Sequence, residues 1–303
     1  MPISLPETRA ALSEPALPLA RYRLRFERRG PGGLPAFTGS AWHGALGHAL
    51  KRLAAPADYT AIFETPVTAS AVKLRAYQEA PRPFAMAPVG DGIELSLTLF
   101  GHGQRHARLM IQALQAAGEG GLGAAGTRLR LCAVERESPV GSGGWRPAWF
   151  PAQPEDAAEL SPAAWPATPI RVQVNLLTPL RLRRLDVYLK PQQFRFADLF
   201  GNLLRRISLL TAFYAPEPLE TDFRGLLRTA ASVGLEQPEL RWQDWSRYSS
   251  RQEKLIAMGG LLGAFGLELA GSAELWPYLW LGQFTQAGKG TSMGLGQYTV
   301  GAQ

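Results

Sequence analysis

The sequence has 303 residues, with 32 Lys and Arg against 25 Asp and Glu, and a formal charge of +7 at pH 7. Hydrophobic residues at 46% and charged ones at 19% match a folded globular chain, which argues against a disordered, collagen-like or repeat architecture. The longest apolar runs, such as Leu261 to Phe265, are broken by glycine and fall far short of the roughly 20 residues of a membrane span. Cys132 is the only cysteine and MPISLPETRA has no export-signal pattern, so the expected setting is a reducing cytoplasm with no membrane partner.

At roughly 100 to 200 residues per domain, the length predicts two domains. In Ala20 to Glu27, apolar Tyr22, Leu24 and Phe26 alternate with Arg21, Arg23 and Arg25, which predicts a half-buried strand with three guanidiniums on one face. A row of one sign suggests a phosphate surface. Of the basic residues 27 are Arg and five Lys, a bias that suits phosphate but that GC-rich codon usage also produces. Gly30 to Gly39 reads as a loop, and Ser40 as the cap of a helix reaching about Leu53. A short strand is expected near Tyr59 to Glu64 and another over Gly92 to Phe100. Arg105 to Ala117 has helical spacing, and Thr127 to Glu135 reads as strand. The order β, α, β, β, α, β is that of a ferredoxin-like unit.

From Glu137 to Thr168 neither period is sustained, so residues 137–168 are expected to link a first domain (1–136) to a second (169–303). In the second, Ile170 to Leu177 and Leu180 to Leu182 read as strand, Phe194 to Phe213 as an amphipathic helix, Leu240 to Tyr248 as strand, and the first half of Met258 to Ala270 as strand. Ser272 to Phe284 predicts a helix with Pro277 in its first turns, and Gln297 to Val300 a final strand. Both halves present a similar order of elements. The predicted class is therefore α+β, with two tandem ferredoxin-like (RRM-like, βαββαβ) domains and a C-terminal glycine-rich loop.

That loop, GKGTSMGLG from Gly288 to Gly296, does not fit a Walker A motif, because Gly290 follows Lys289 where Ser or Thr would bind magnesium and a strand comes next. Its setting is more telling. FTGSAWHGALGHAL at 37–50, LFG at 99–101, GEGGLGAAGTRLRL at 118–131, LLTPLRLR at 176–183, Phe194 to Leu210, WSRYSSRQ at 245–252, MGGLLGAFG at 258–266 and GKGTSMGLGQY at 288–298 together resemble the CRISPR-associated repeat-processing endoribonucleases, the sixth Cas protein family within the RAMP superfamily. The resemblance implies tandem ferredoxin-like domains that bind the repeat RNA of a CRISPR transcript. It also implies cleavage without metal or other cofactor, and retention of the product in a complex with other Cas subunits. The loop is then the family's RNA-contacting signature, through Gly288, Lys289, Gly290, Ser292, Gly294 and Gly296. Two departures stand out: Gln286 where many members carry His, and His43 where Arg is common.

Metal-free RNA cleavage needs a base for the 2′-hydroxyl proton, an acid for the leaving 5′-oxygen and a cation for the phosphorane. Histidine suits the first two roles, and there are four: His43, His48, His102 and His106. His43 and His48 follow the Arg row on the first helix, where the family's catalytic histidine is often found. Five residues apart, they point about 140° away from each other. Lys51 shares the His48 face, and Tyr22 offers a hydroxyl unless it is core. Arg21, Arg23, Arg25, Arg251 and Lys289 are candidates for phosphate, Arg247 and Tyr248 for RNA stacking, and Arg205 and Arg206, read as exposed on their helix, for an RNA hairpin groove. His102 and His106 have i, i+4 spacing but no third ligand for zinc, so no metal is expected. Glu27 with Asp58, and Glu217 with Glu220, form no carboxylate motif. Trp242, Trp245, Trp276 and Trp280 fit core packing better than base stacking. A noncatalytic subunit holding the 3′ hairpin of a guide RNA, or a RAMP scaffold that binds proteins, would share most of these features.

Overall fold

The computed structural model describes residues 14–35, 37–66, 80–148, 162–249 and 254–302, with the backbone alone of 246–249 and 254–256. The expected alternation produces the first strand, β1 (Leu19–Arg29), in which Tyr22, Leu24 and Phe26 are buried. Beside it lie β3 (Glu94–Phe100) and β4 (Arg128–Glu137), and outside these β2 (Phe84–Val89) and β5 (Trp145–Pro147), in the antiparallel order β2-β3-β1-β4-β5. Thus part of the expected linker adds a strand to the first sheet. On one face of that sheet pack α1 (Gly39–Leu53) and α3 (Ala107–Gly120). Trp42 of α1 is fully buried, 4.7 Å from the Phe26 ring, and its Nε1 donates to the Gly92 carbonyl at 3.1 Å. Losing such a side chain costs about 3–5 kcal/mol, so Trp42 fixes α1 on the sheet.

Three expectations fail locally. Residues 59–64 are not a strand: Pro56 starts a helix, α2 (Pro56–Phe63), with Asp58 in its first turn. Proline at the first position presets φ, and an early carboxylate complements the helix dipole. The strand missing from that position is β2, whose Phe84, Ala85, Met86 and Ala87 are all buried, so burial on both faces erases the period-two signal. Thr38, rather than Ser40, precedes the first helical residue.

The second sheet has β6 (Arg171–Leu180), β9 (Glu236–Gln243), β12 (Gly260–Glu268) and β13 (Tyr298–Ala302) in the order β13-β6-β12-β9. With the four principal strands of each sheet numbered along the chain, both sheets run 4-1-3-2, the tandem ferredoxin-like arrangement. Packed with it are α4 (Phe196–Tyr214), α5 (Phe223–Ser232) and α6 (Trp276–Thr285). The α5 N-terminus is capped by Asp222, whose Oδ1 accepts from the Gly225 amide at 2.8 Å. Two hairpins stand apart, β7 (Arg183–Arg184) with β8 (Val187–Tyr188), and β10 (Ser246–Ser249) with β11 (Lys254–Ala257). The strand expected over 240–248 is therefore two, in different sheets. Leu17, Leu19, Ala85 and Phe100 of the first half pack in the second half's core with α4 and α6, which joins the two units through buried apolar contact.

Candidate active site

One side of α1, next to the core stripe of Trp42, Leu46 and Ala49, carries Gly39, His43 and Gly47, four residues apart and so aligned along the helix. A Cβ at Gly39 would lie 2.0 Å from the carbonyl oxygen of Met293, and one at Gly47 would lie 2.7 Å from the Phe63 ring. The two glycines thus let the glycine-rich loop and the end of α2 close onto the helix. Half-buried His43 lies between them. Its Nδ1 is 3.1 Å from the Ser292 carbonyl oxygen, and its ring stacks on Phe63 at 4.8 Å and 23°. A carbonyl only accepts, so Nδ1 carries the proton and Nε2 the basic lone pair. Tyr59 also stacks on Phe63, at 5.8 Å.

The loop is held from within and from behind. Gly288, Gly290, Gly294 and Gly296 all have φ between 72° and 88°, left-handed backbone that excludes most side chains. At Gly296 a Cβ would stand 1.7 Å from the Ala287 carbonyl oxygen. Gln286 is buried, and with its amide nitrogen turned inward donates to the carbonyls of Thr291 at 2.7 Å and Leu295 at 3.1 Å. The Gly288 amide donates to Asn202 Oδ1 at 2.7 Å, and that of Lys289 to the Arg181 carbonyl at 3.0 Å. Gln286 therefore shapes the loop. Of the loop residues expected to touch RNA, Lys289 is exposed, whereas Ser292 is only 5% exposed and turns toward His43.

His48 and Lys51 are exposed on another side of α1, where they line an open depression with Ala45, Arg52, Ala116 and Gly120. The structure thus separates His43 from the other two candidates.

The arginine row does share one face, yet it is not a face of one sign. Arg21 Nη1 lies 3.0 Å from Glu137, Arg23 Nε 2.9 Å from Glu135, and Arg25 3.0 Å from Glu135 and 3.5 Å from Glu94. Trp145 of β5 lies under the guanidiniums of Arg23 at 4.4 Å and Arg21 at 5.3 Å. The carboxylates come from neighbouring strands, which a reading of β1 alone does not include.

Arg205 is exposed, but Arg206 is not beside it on the surface. Its Nε donates to the Thr285 carbonyl at the end of α6, 2.7 Å away, and burial pushes its guanidinium down to about 10, against a smaller opposing effect from Tyr214. Arg247 and Tyr248 belong to β10, described by its backbone, and Arg251 lies outside the described residues. His106 has both nitrogens engaged, with Nδ1 3.6 Å from Asp58 and Nε2 accepting from Arg105 at 3.1 Å. His102 tilts against Tyr214 at 5.4 Å. Burial, then Arg105, holds both imidazoles below the ordinary histidine value, while Asp58 pulls His106 the other way. Among the described residues, no three His, Cys, Asp or Glu cluster as metal ligands, and no helix is long and apolar enough to cross a membrane. Tyr22, Trp276 and Trp280 are core; Trp242 is half-buried under the Lys190 ammonium at 3.4 Å, and Trp245 packs on Phe37 at 4.7 Å.

A residue that the sequence reading missed completes the site. Arg82, just before β2, donates from Nη1 to Ser292 Oγ at 3.1 Å and from Nε to the Phe63 carbonyl at 3.0 Å.

Comparison with known proteins converges on one family. Residues 174–298 match the family model described as CRISPR-associated endoribonuclease Cas6, and residues 17–156 match a model described as an N-terminal domain, AF_1859_N. A solved Cas6 product complex is 19% identical, with a TM-score of 0.53 over 94% of this chain and all of that one. Thermus thermophilus Cas6 is 17% identical, with a TM-score of 0.56 over 94% of this chain and 99% of that one. A Cas6-related protein from Pyrococcus furiosus is 11% identical, with a TM-score of 0.53 over 93% and 98%. No curated protein sequence matches. The chain thus matches the Cas6 family model over residues 174–298 and shares the Cas6 fold over nearly its whole length.

Proposed function

We propose that the chain binds CRISPR repeat RNA and cleaves precursor CRISPR RNA as a metal-independent endoribonuclease. The observation that carries this reading is the seating of His43 between Ser292 and Phe63, with its Nδ1 proton committed to a carbonyl. Nε2 then takes the proton of a 2′-hydroxyl while the 2′-oxygen attacks the adjacent phosphorus. The P–O5′ bond breaks, and the leaving oxygen takes a proton from water to become a 5′-hydroxyl, opposite a 2′,3′-cyclic phosphate, while the imidazolium gives its proton to the hydroxide left behind. Lys289, exposed three positions before Ser292 in the same loop, supplies a cation for the phosphate. Orientation of the imidazole is the chain's own contribution: a fixed tautomer places the lone pair at one nitrogen. His48 and Lys51, on another side of α1, are left to RNA phosphate contact. Arg205, Arg247 and Arg251 are proposed for the same role. Other Cas subunits are proposed as further partners, a reading supported by the similar fold found within a Cas6-RT-Cas1–Cas2 complex, where the match takes in 47% of the other chain.

Labelled RNA of the CRISPR repeat encoded beside the gene, incubated with the protein in excess EDTA, tests the proposal against a copy with a 2′-deoxy sugar at the cut site. Cleavage of the first and survival of the second are expected. Tight binding without cleavage overturns the nuclease and leaves a subunit that holds guide RNA.

A further inference from the structure

Arg82 occupies a place that the proposed chemistry does not use. It stands in a Pro-Arg-Pro step, Pro81 to Pro83, whose backbone is restricted by proline on both sides. The segment is also tied down. The Tyr214 hydroxyl donates to the Pro81 carbonyl at 2.5 Å, and the Phe100 amide to the Pro83 carbonyl at 2.9 Å. From this anchor the guanidinium makes two bonds with different N–H groups: Nε to the Phe63 carbonyl at 3.0 Å and Nη1 to Ser292 Oγ at 3.1 Å. It also lies 5.0 Å over the Phe63 ring. Phe63 and Ser292 both hold the His43 ring, one by stacking and one by its carbonyl.

We propose that Arg82 is a positioning residue for His43: it ties the glycine-rich loop of the second domain to the end of α2 and so fixes both supports of the imidazole. This rests on the reading of His43 as the base. The planar guanidinium suits the task because its donors diverge at fixed angles, whereas an ammonium is a point charge on a flexible stem. Without the tie, the loop keeps its internal bonds through Gln286 but loses its side-chain link to α2, and the Ser292 carbonyl is no longer held against Nδ1. Among the described residues, ionisable groups near this cluster include Tyr59 with Glu64 at its hydroxyl, 3.4 Å away, and Tyr214 behind the Pro81 segment.

The test measures the imidazole directly. In 15N-labelled full-length protein, long-range proton–nitrogen spectra report which nitrogen of each of the four histidines carries hydrogen, and His43→Gln identifies the His43 signals. Wild type is expected to show His43 protonated at Nδ1 near neutral pH. Arg82→Gln and Arg82→Lys are both expected to give a mixture of tautomers. Both should slow single-turnover cleavage of the repeat RNA by roughly 10- to 100-fold, the scale of a misplaced catalytic group, while RNA affinity changes less than about threefold. Ser292→Ala removes only one of the two ties and should shift the tautomer in the same direction, so the inference remains testable if an Arg82 variant does not fold. An unchanged tautomer in these variants overturns it. So does full rescue by Arg82→Lys, which would make Arg82 a charge acting on the RNA. If His43→Gln still cleaves, the catalytic reading falls instead, and the tautomer measurement separately decides whether Arg82 holds the ring.

Discussion

The carbonyl oxygen of Ser292 lies 3.1 Å from Nδ1 of His43, across 249 positions of sequence. That contact brings a backbone group of the second ferredoxin-like unit to a side chain of the first. His43→Ala is expected to reduce repeat cleavage by about 10²- to 10⁴-fold, the range for a lost general base, and His48→Ala to leave it within a fewfold. Single-turnover rates on one RNA compare the two. Equal losses would remove the distinction drawn from their separation on α1.

Two glycines of the same helix should respond in opposite ways. Gly39 has no room for a methyl group beside Met293, whereas nothing lies within 4 Å of a Cβ on Gly44. Gly39→Ala is expected to destabilise by about 1–3 kcal/mol and to slow cleavage. Gly44→Ala should stabilise by roughly 0.5–1 kcal/mol, the helix-propensity difference. Urea denaturation curves on the two variants give both signs.

Glu135 lies between Arg23 and Arg25 at 2.9 and 3.0 Å. Glu135→Gln removes a charge that neutralises both. Stability should fall by about 1 kcal/mol or less, as for partly exposed pairs, while RNA affinity rises and becomes more sensitive to salt. Filter binding at several salt concentrations tests this, and an unchanged salt slope would show that RNA does not reach the row.

His102 and His106 should make the fold acid-sensitive. Both are held below the ordinary value, first by burial and then by Arg105, so near pH 6 the folded chain binds fewer protons than the unfolded one. The stability they contribute is present above the unfolded value of about 6.5 and is lost as pH falls toward their folded values. The melting temperature should therefore drop between about pH 7.5 and pH 5.5, less so in His106→Asn. An equal drop in both proteins would assign the effect to other groups.

The sequence carried the order of elements because most follow one clear period: Tyr22, Leu24 and Phe26 by twos, Phe200, Leu203, Ile207 and Leu210 by threes and fours. It concealed β2, whose consecutive buried residues have no period, and α2, whose short apolar run suits either state. His43 was visible as a residue type in a suggestive place. The Gly39, His43, Gly47 spacing was also in plain view and would have marked the face that other segments approach. Arg82 offered no signal, since its partner Ser292 is 210 positions away. The pairing of the Arg row and the inward turn of Arg206 likewise depend on neighbours contributed by other strands and helices.

The distance in sequence between His43 and Ser292 also sets an order of events during synthesis. Domains emerging from a ribosome fold from the N-terminus onward, so α1 can dock on its own sheet while residues 288–296 are still to be translated. Through that interval the growing chain carries the His43 imidazole without the Ser292 carbonyl that accepts from its Nδ1. On the proposed reading, the messenger and ribosomal RNA nearby meet no completed cleavage site until the late loop closes onto the early helix.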